Sequence, residues 1–197
     1  MKKFVGILLI VFVLGFCSNA LAVNLTGKFG FTPKVGASIP IRNFAGNNDF
    51  GADIGVNLGV NAEHYLSNHI SLGVNFDYSL FPLKDHENII LHMKLFSCSA
   101  FLKYMIPLES KTTPFCKFGV GIYEPTLTIK TDSGKACIGY KIKMGFLTGA
   151  GVMYEVSKTI FVNGETIFHY ALVETGFGCN LQYFETNLGI TFLLGSK

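Results

Sequence analysis

Apolar and polar residues alternate with a period of two between Gly55 and Leu80. Val56, Leu58, Val60 and Ala62 form one apolar series; Ile70, Leu72, Val74, Phe76, Tyr78 and Leu80 form another after the break YLSNH. Between them stand Gly55, Asn57, Gly59, Asn61 and Glu63, then Ser71, Gly73, Asn75, Asp77 and Ser79. Successive side chains of a strand point to opposite faces, so the pattern predicts two strands joined by a short turn, each with one oily face.

The same period recurs along the chain and predicts eight strands: one near 25–39, the two just described, and five near 94–106, 115–123, 138–156, 160–172 and 181–194. Their connections alternate in length. Those near 40–51, 82–92, 124–137 and 173–180 are long, whereas YLSNH, PLESKTTP and VSKT are short. An even number of strands, with short turns at one end and long loops at the other, predicts an antiparallel up-and-down barrel with both chain ends on the short-turn side.

A soluble eight-stranded barrel turns its oily face inward, and a membrane barrel turns it outward. Two features select the outward arrangement. The polar face is crowded with small residues, among them Gly30, Gly36, Gly59, Gly73, Gly121, Gly149 and Gly189, which suit a narrow lumen. On the oily face Tyr104 and Tyr154 sit next to short turns, while Tyr78, Tyr140 and Tyr170 sit near long loops. A phenol ring has an oily body and a wet tip, so the two groups read as interfacial girdles.

Composition agrees. The 197 residues are 49% hydrophobic, with only 15% charged against about 25% in ordinary soluble proteins. The mean hydropathy is +0.40, yet after residue 22 no apolar run approaches the ~20 residues of a membrane-spanning helix. A bilayer accepts only helices and closed barrels, because unpaired backbone groups in hydrocarbon cost several kcal/mol each. The net charge of +3 comes from dispersed basic residues, so no nucleic-acid partner is expected. At the start, Lys2 and Lys3 precede an apolar run from Phe4 to Phe16 and then Ala20-Leu21-Ala22, the layout of a cleavable secretory signal. The expected division is a signal peptide over 1–22 and a barrel domain over 23–197.

On these strands, turns and girdles the chain resembles the small eight-stranded outer-membrane barrels, the family of the OmpA transmembrane domain, OmpX and the opacity-type proteins. The resemblance covers nearly all of residues 24–195 and rests on architecture rather than on a motif. It implies an all-β transmembrane barrel in the outer membrane, monomeric, with periplasmic termini. The implied partners are the outer-membrane lipids and the outer-membrane assembly machinery. It further implies a non-enzymatic role, structural or adhesin-like, in which the outer loops meet a host or environmental ligand. Two other readings of such barrels are an OmpW-like conduit for small hydrophobic molecules and a lipid-modifying enzyme.

The polar face supplies the candidate chemistry. Lys28, Lys34, Glu63, Lys103, Lys117, Glu155 and Glu185 are expected to form an ion-pair network in the lumen, together with Asp77, Glu165 and His169. Buried charges must be paired, and the signs nearly balance. Counting from the turns places Lys103 beside Lys117 with Glu155 across from the latter, Lys28 opposite Glu63, and Lys34 near Glu185. No catalytic residue, cofactor or metal is expected: no serine-hydrolase or phosphate-loop motif occurs, and His86, Glu87 and His92 lack a familiar ligand spacing. Cys137 and Cys179 lie beside the third and fourth long loops, where an oxidising compartment would permit a disulfide.

Overall fold

In a computed structural model the two-residue period is realised as strands, described over residues 23–45, 51–83, 90–106, 108, 110–131, 134–139, 141–172 and 180–195. The expected signal peptide, Tyr140 and Cys179 lie outside the described residues. The strands are β1 (Phe29–Pro40), β2 (Gly55–Tyr65), β3 (Ile70–Pro82), β4 (Ile90–Met105), β5 (Thr112–Thr131), β6 (Gly134–Gly139), β7 (Lys143–Ser157), β8 (Ile160–Ala171) and β9 (Leu181–Leu194). All pairings are antiparallel, and β1 pairs with both β2 and β9 while β4 pairs with β5, so the sheet closes on itself. Eight positions make up the wall, because β6 pairs only with the far end of β5.

The third long connection is a correction to the sequence expectation. Residues 124–137 are not a loop: β5 runs on to Thr131 and folds back as β6, pairing Thr126 with Gly139 through Thr131 with Gly134. The run Thr126-Leu127-Thr128-Ile129 alternates polar and apolar residues, and three of the four are β-branched, which favours extension. Pro125 lies where the partner of β5 changes from β7 to β6, a position at which a missing donor is tolerated. The strand expected over 138–156 is accordingly split into β6 and β7.

Following cross-strand partners once round from Phe29, through His64, Leu72, Leu102, Phe118, Thr148, Phe168 and Phe184, leads back to Ile39, ten residues along the starting strand (39 against 29). With a rise of about 3.3 Å per residue and strands about 4.8 Å apart, that stagger tilts the strands by about 40° and gives a backbone radius of about 8 Å. Such a cylinder is just wide enough to be filled by side chains.

The outer wall is apolar: Val74, Phe76, Leu102, Phe118, Val120 and Leu188 are among the many large hydrophobic residues exposed on it. Among the described residues no helix is long and apolar enough to cross a membrane. The interior is layered. At the end where Val23 and Gly195 lie, Leu25, Tyr65, Met105, Phe115, Met153, Phe161 and Leu193 pack together. At the other end Phe81, Leu91, Met93, Leu95, Tyr123, Leu181 and Tyr183 form a second apolar cluster. Phe44, from a short 3-10 turn at Arg42–Phe44, drops into it edge-on to Phe81, with ring centroids 4.9 Å apart. Between these layers the lumen is mostly polar, interrupted by a small apolar cluster of Phe101, Leu147 and Ile167.

Candidate functional site

The polar middle of the barrel is built from inward positions of seven strands. Lys34 of β1 lies 2.9 Å from Asp77 Oδ1 of β3 and 3.2 Å from Glu165 Oε1 of β8. Glu165 offers its other oxygen to Lys117 of β5 at 2.8 Å. Lys103 of β4 pairs with Glu63 of β2 at 2.6 Å, and Glu63 also accepts hydrogen bonds from Tyr65 at 2.9 Å and Ser71 at 2.7 Å. Each of these charged side chains is buried. Lys103 and Lys117 are direct cross-strand partners, and each also lies over an aromatic ring: Lys117 Nζ is 4.4 Å from the centre of Phe101. Desolvated cations gain from such faces as well as from their carboxylates.

Close approach of backbone makes room for this layer. A Cβ at Gly59 would fall 2.0 Å from Asp77 Oδ1 and 2.8 Å from Lys34 Cε, so only glycine lets that ion pair form. Gly73 faces Phe101 on the neighbouring strand, and a Cβ there would lie 2.6 Å from the ring.

Nearer the long-connection end lies a second group. His169 Nε2 is 3.4 Å from Glu185 Oε2, and Ser79 donates to Glu185 Oε1 at 3.0 Å. Tyr123 Oη is 3.0 Å from His169 Nδ1, and Tyr183 stacks on the imidazole at 4.6 Å with an interplanar angle of 5°. Asp77 completes the group, its Oδ2 accepting from Asn75 Nδ2.

Five of the seven residues expected in the lumen network are buried inside the barrel: Lys34, Glu63, Lys103, Lys117 and Glu185. Two are not part of it. Lys28 precedes β1, because the chain turns at Gly27 (φ 77) and its carbonyl pairs with Tyr65; Gly30, not Lys28, stands opposite Glu63. Glu155 sits half-buried at a register shift between β7 and β8, with Phe161 as its partner, while Lys117 faces Gly149. The pairings also differ from neighbour counting. Lys34 is level with Gly189, and Glu185 is opposite Ser38, farther along the tilted strand. The lumen is narrow enough for side chains to meet across it rather than along its wall.

Tyr78, Tyr104 and Tyr154 are exposed on the outer wall, and Tyr170 is half-buried there, accepting a hydrogen bond from Asn180 at 2.8 Å. Cys137 is exposed on β6; its proposed partner lies outside the described residues. The inward apolar layers were not anticipated, although their signal is present: Tyr65, Met105, Phe115 and Met153 occupy the polar register near strand ends.

The chain matches no family model and no curated protein sequence. Solved structures do match. Neisserial surface protein A aligns with 85% of this chain and 97% of its own at 14% identity and a TM-score of 0.57. Ail, the attachment invasion locus protein of Yersinia pestis, solved with the heparin analogue sucrose octasulfate, aligns with 86% of this chain and 99% of its own at 12% identity and a TM-score of 0.58. OprG of Pseudomonas aeruginosa aligns with 87% and 97% at 12% identity and a TM-score of 0.55. Closed eight-stranded topology, an apolar outer wall and these likenesses agree: in fold the chain is a small eight-stranded outer-membrane β-barrel.

Proposed function

We propose that the protein is a non-enzymatic surface barrel, exported by a signal peptide cleaved after Ala22, with periplasmic termini and an outer end that binds ligands of the surroundings. The observation that carries this reading is the β5–β6 hairpin, which continues the wall beyond the point where β7 leaves β5. The stretch 124–143 carries Lys130, Lys135, Lys141 and Lys143 against Glu124 and Asp132, four bases to two acids. The other three outer connections lack such an excess. A basic arm at the outer end suits polyanionic surface glycans. That Ail is solved with a heparin analogue is in keeping with this chemistry on a barrel of the same fold.

A filled lumen weakens the conduit reading. The polar layer encloses a cavity, bordered by Thr32, Lys34, Glu63, Lys103, Glu165 and Gly189, that has room for about one water molecule. An enzymatic reading fares no better: outward-facing His64 lies tilted against Phe29 with ring centroids 4.4 Å apart, and its Nδ1 finds no hydrogen-bond partner among the described residues.

The test is binding of the refolded barrel in liposomes to immobilised heparin. Saturable, salt-sensitive binding is expected, and it should disappear when Thr126–Gly139 is replaced by a two-residue turn. Absence of binding by the intact barrel, or equal binding by the trimmed one, overturns the role given to the hairpin.

A further inference from the structure

We propose that Asp77, His169 and Glu185 form a binding site for one borderline first-row divalent cation, such as Zn²⁺, inside the barrel. One ligand atom from each lies within 4.8 Å of the other two, and all three side chains are buried. A Zn²⁺ bonded at about 2.1 Å to nitrogen and oxygen ligands sets them roughly 3.0–3.4 Å apart. His169 Nε2 and Glu185 Oε2, 3.4 Å apart, already meet that spacing. Asp77 must close by at most about 1.5 Å, a side-chain adjustment.

Independent of the cluster itself, the imidazole is presented as a ligand. His169 Nε2 is fully buried, faces the two carboxylates and makes no hydrogen bond to any described residue. Its other nitrogen is held by Tyr123 at 3.0 Å, and its ring is clamped by the stacked Tyr183. A metal-bound histidine uses its second nitrogen in this way, donating to an oxygen that fixes tautomer and orientation. The carboxylates are arranged alike. Ser79 holds Glu185 Oε1 and leaves Oε2 toward the imidazole, with only a long 3.5 Å hydrogen bond from Asn187 Nδ2 on it; Asn75 holds Asp77 Oδ2 and leaves Oδ1 toward the group. Lys34 contacts Asp77 Oδ1, but it has a second carboxylate in Glu165 at 3.2 Å and stays paired when a cation takes its place. One nitrogen and two oxygens suit a borderline ion better than a hard or a soft one.

The apolar layer above the site means that the cation enters during folding. Untagged mature protein is therefore refolded in detergent with Zn²⁺, passed over a chelating resin and analysed for metal. The folded barrel is expected to retain one equivalent. His169→Gln and Glu185→Gln should lower zinc affinity by at least about tenfold, since even the loss of an outer-shell partner does so. The double variant His86→Gln/His92→Gln should retain zinc. A metal-free wild-type barrel, or retention undiminished in His169→Gln, overturns the site. Should the lumen variants fail to reach the heat-modifiable folded form, X-ray absorption on the zinc-loaded wild type decides: one imidazole with oxygen neighbours supports the site, and several imidazoles or any sulfur overturns it.

Discussion

Glu165 neutralises two lysines at once, one through each oxygen, and all three side chains are buried. Removing its charge would leave Lys117 with no carboxylate partner among the described residues. Breaking a buried pair from one side typically costs about 3–5 kcal/mol, because the remaining charge is still desolvated. Glu165→Gln is therefore expected to lower the stability of the barrel by about that much in urea unfolding from lipid vesicles. Glu155→Ala should change it by no more than about 0.5 kcal/mol, as its side chain is half-exposed and in no ion pair among the described residues. Equal losses from the two variants would refute the wiring. Sequence reading identified the lysines but chose the wrong glutamate, since facing side chains meet across the lumen and neighbour counting follows only the wall.

At the scale of strands, the wall has a lipid side whose chemistry varies with depth. Val120 lies midway along β5, between Cys116 and Glu124, and is exposed outward next to Ala100 and Phe146. A lysine placed there should cost about 2–4 kcal/mol, whereas one at Tyr154, beside a turn, should cost about 0–1 kcal/mol. The readout is the same vesicle unfolding experiment; a depth-independent cost would mean that the apolar belt is not centred on Val120. The β5–β6 hairpin makes the contrary case. Beyond Tyr123 its first strand pairs with β4 as well as with β6, and Leu127 packs into the apolar cluster at that end, so trimming it should lower the unfolding midpoint while leaving the eight-stranded wall heat-modifiable on gels. A trimmed chain that no longer folds would show that the hairpin belongs to the barrel's core.

For the whole molecule, three layers of side chains occupy a cylinder of about 8 Å backbone radius. Apolar clusters close both ends and ion pairs fill the centre. No large, stable porin-like conductance is expected from the protein in planar bilayers. Steady currents of that size would contradict the filled lumen.

The alternation of Val56, Leu58 and Val60 with Asn57, Gly59 and Asn61 was enough to establish strands, and the outward tyrosines and inward glycines were enough to decide which face meets lipid. Both are local signals: the period of a strand is two, and each residue declares its preferred medium by its own side chain. Three things depended on the tertiary structure. The hairpin at 124–139 looks like a loop in the sequence, because Glu124, Pro125 and Asp132 interrupt the pattern, and it is pairing with β4 on one edge and β6 on the other that keeps β5 extended. The apolar layers inside the barrel break the polar-inward rule that governs the middle, since the ends of the cylinder must be shut against water. The pairing of Lys34 with Asp77 and Glu165, and the convergence of Asp77, His169 and Glu185, depend on a ten-residue stagger that emerges only when the last strand closes on the first. Sequence determines which way each side chain points; closure determines whom it meets.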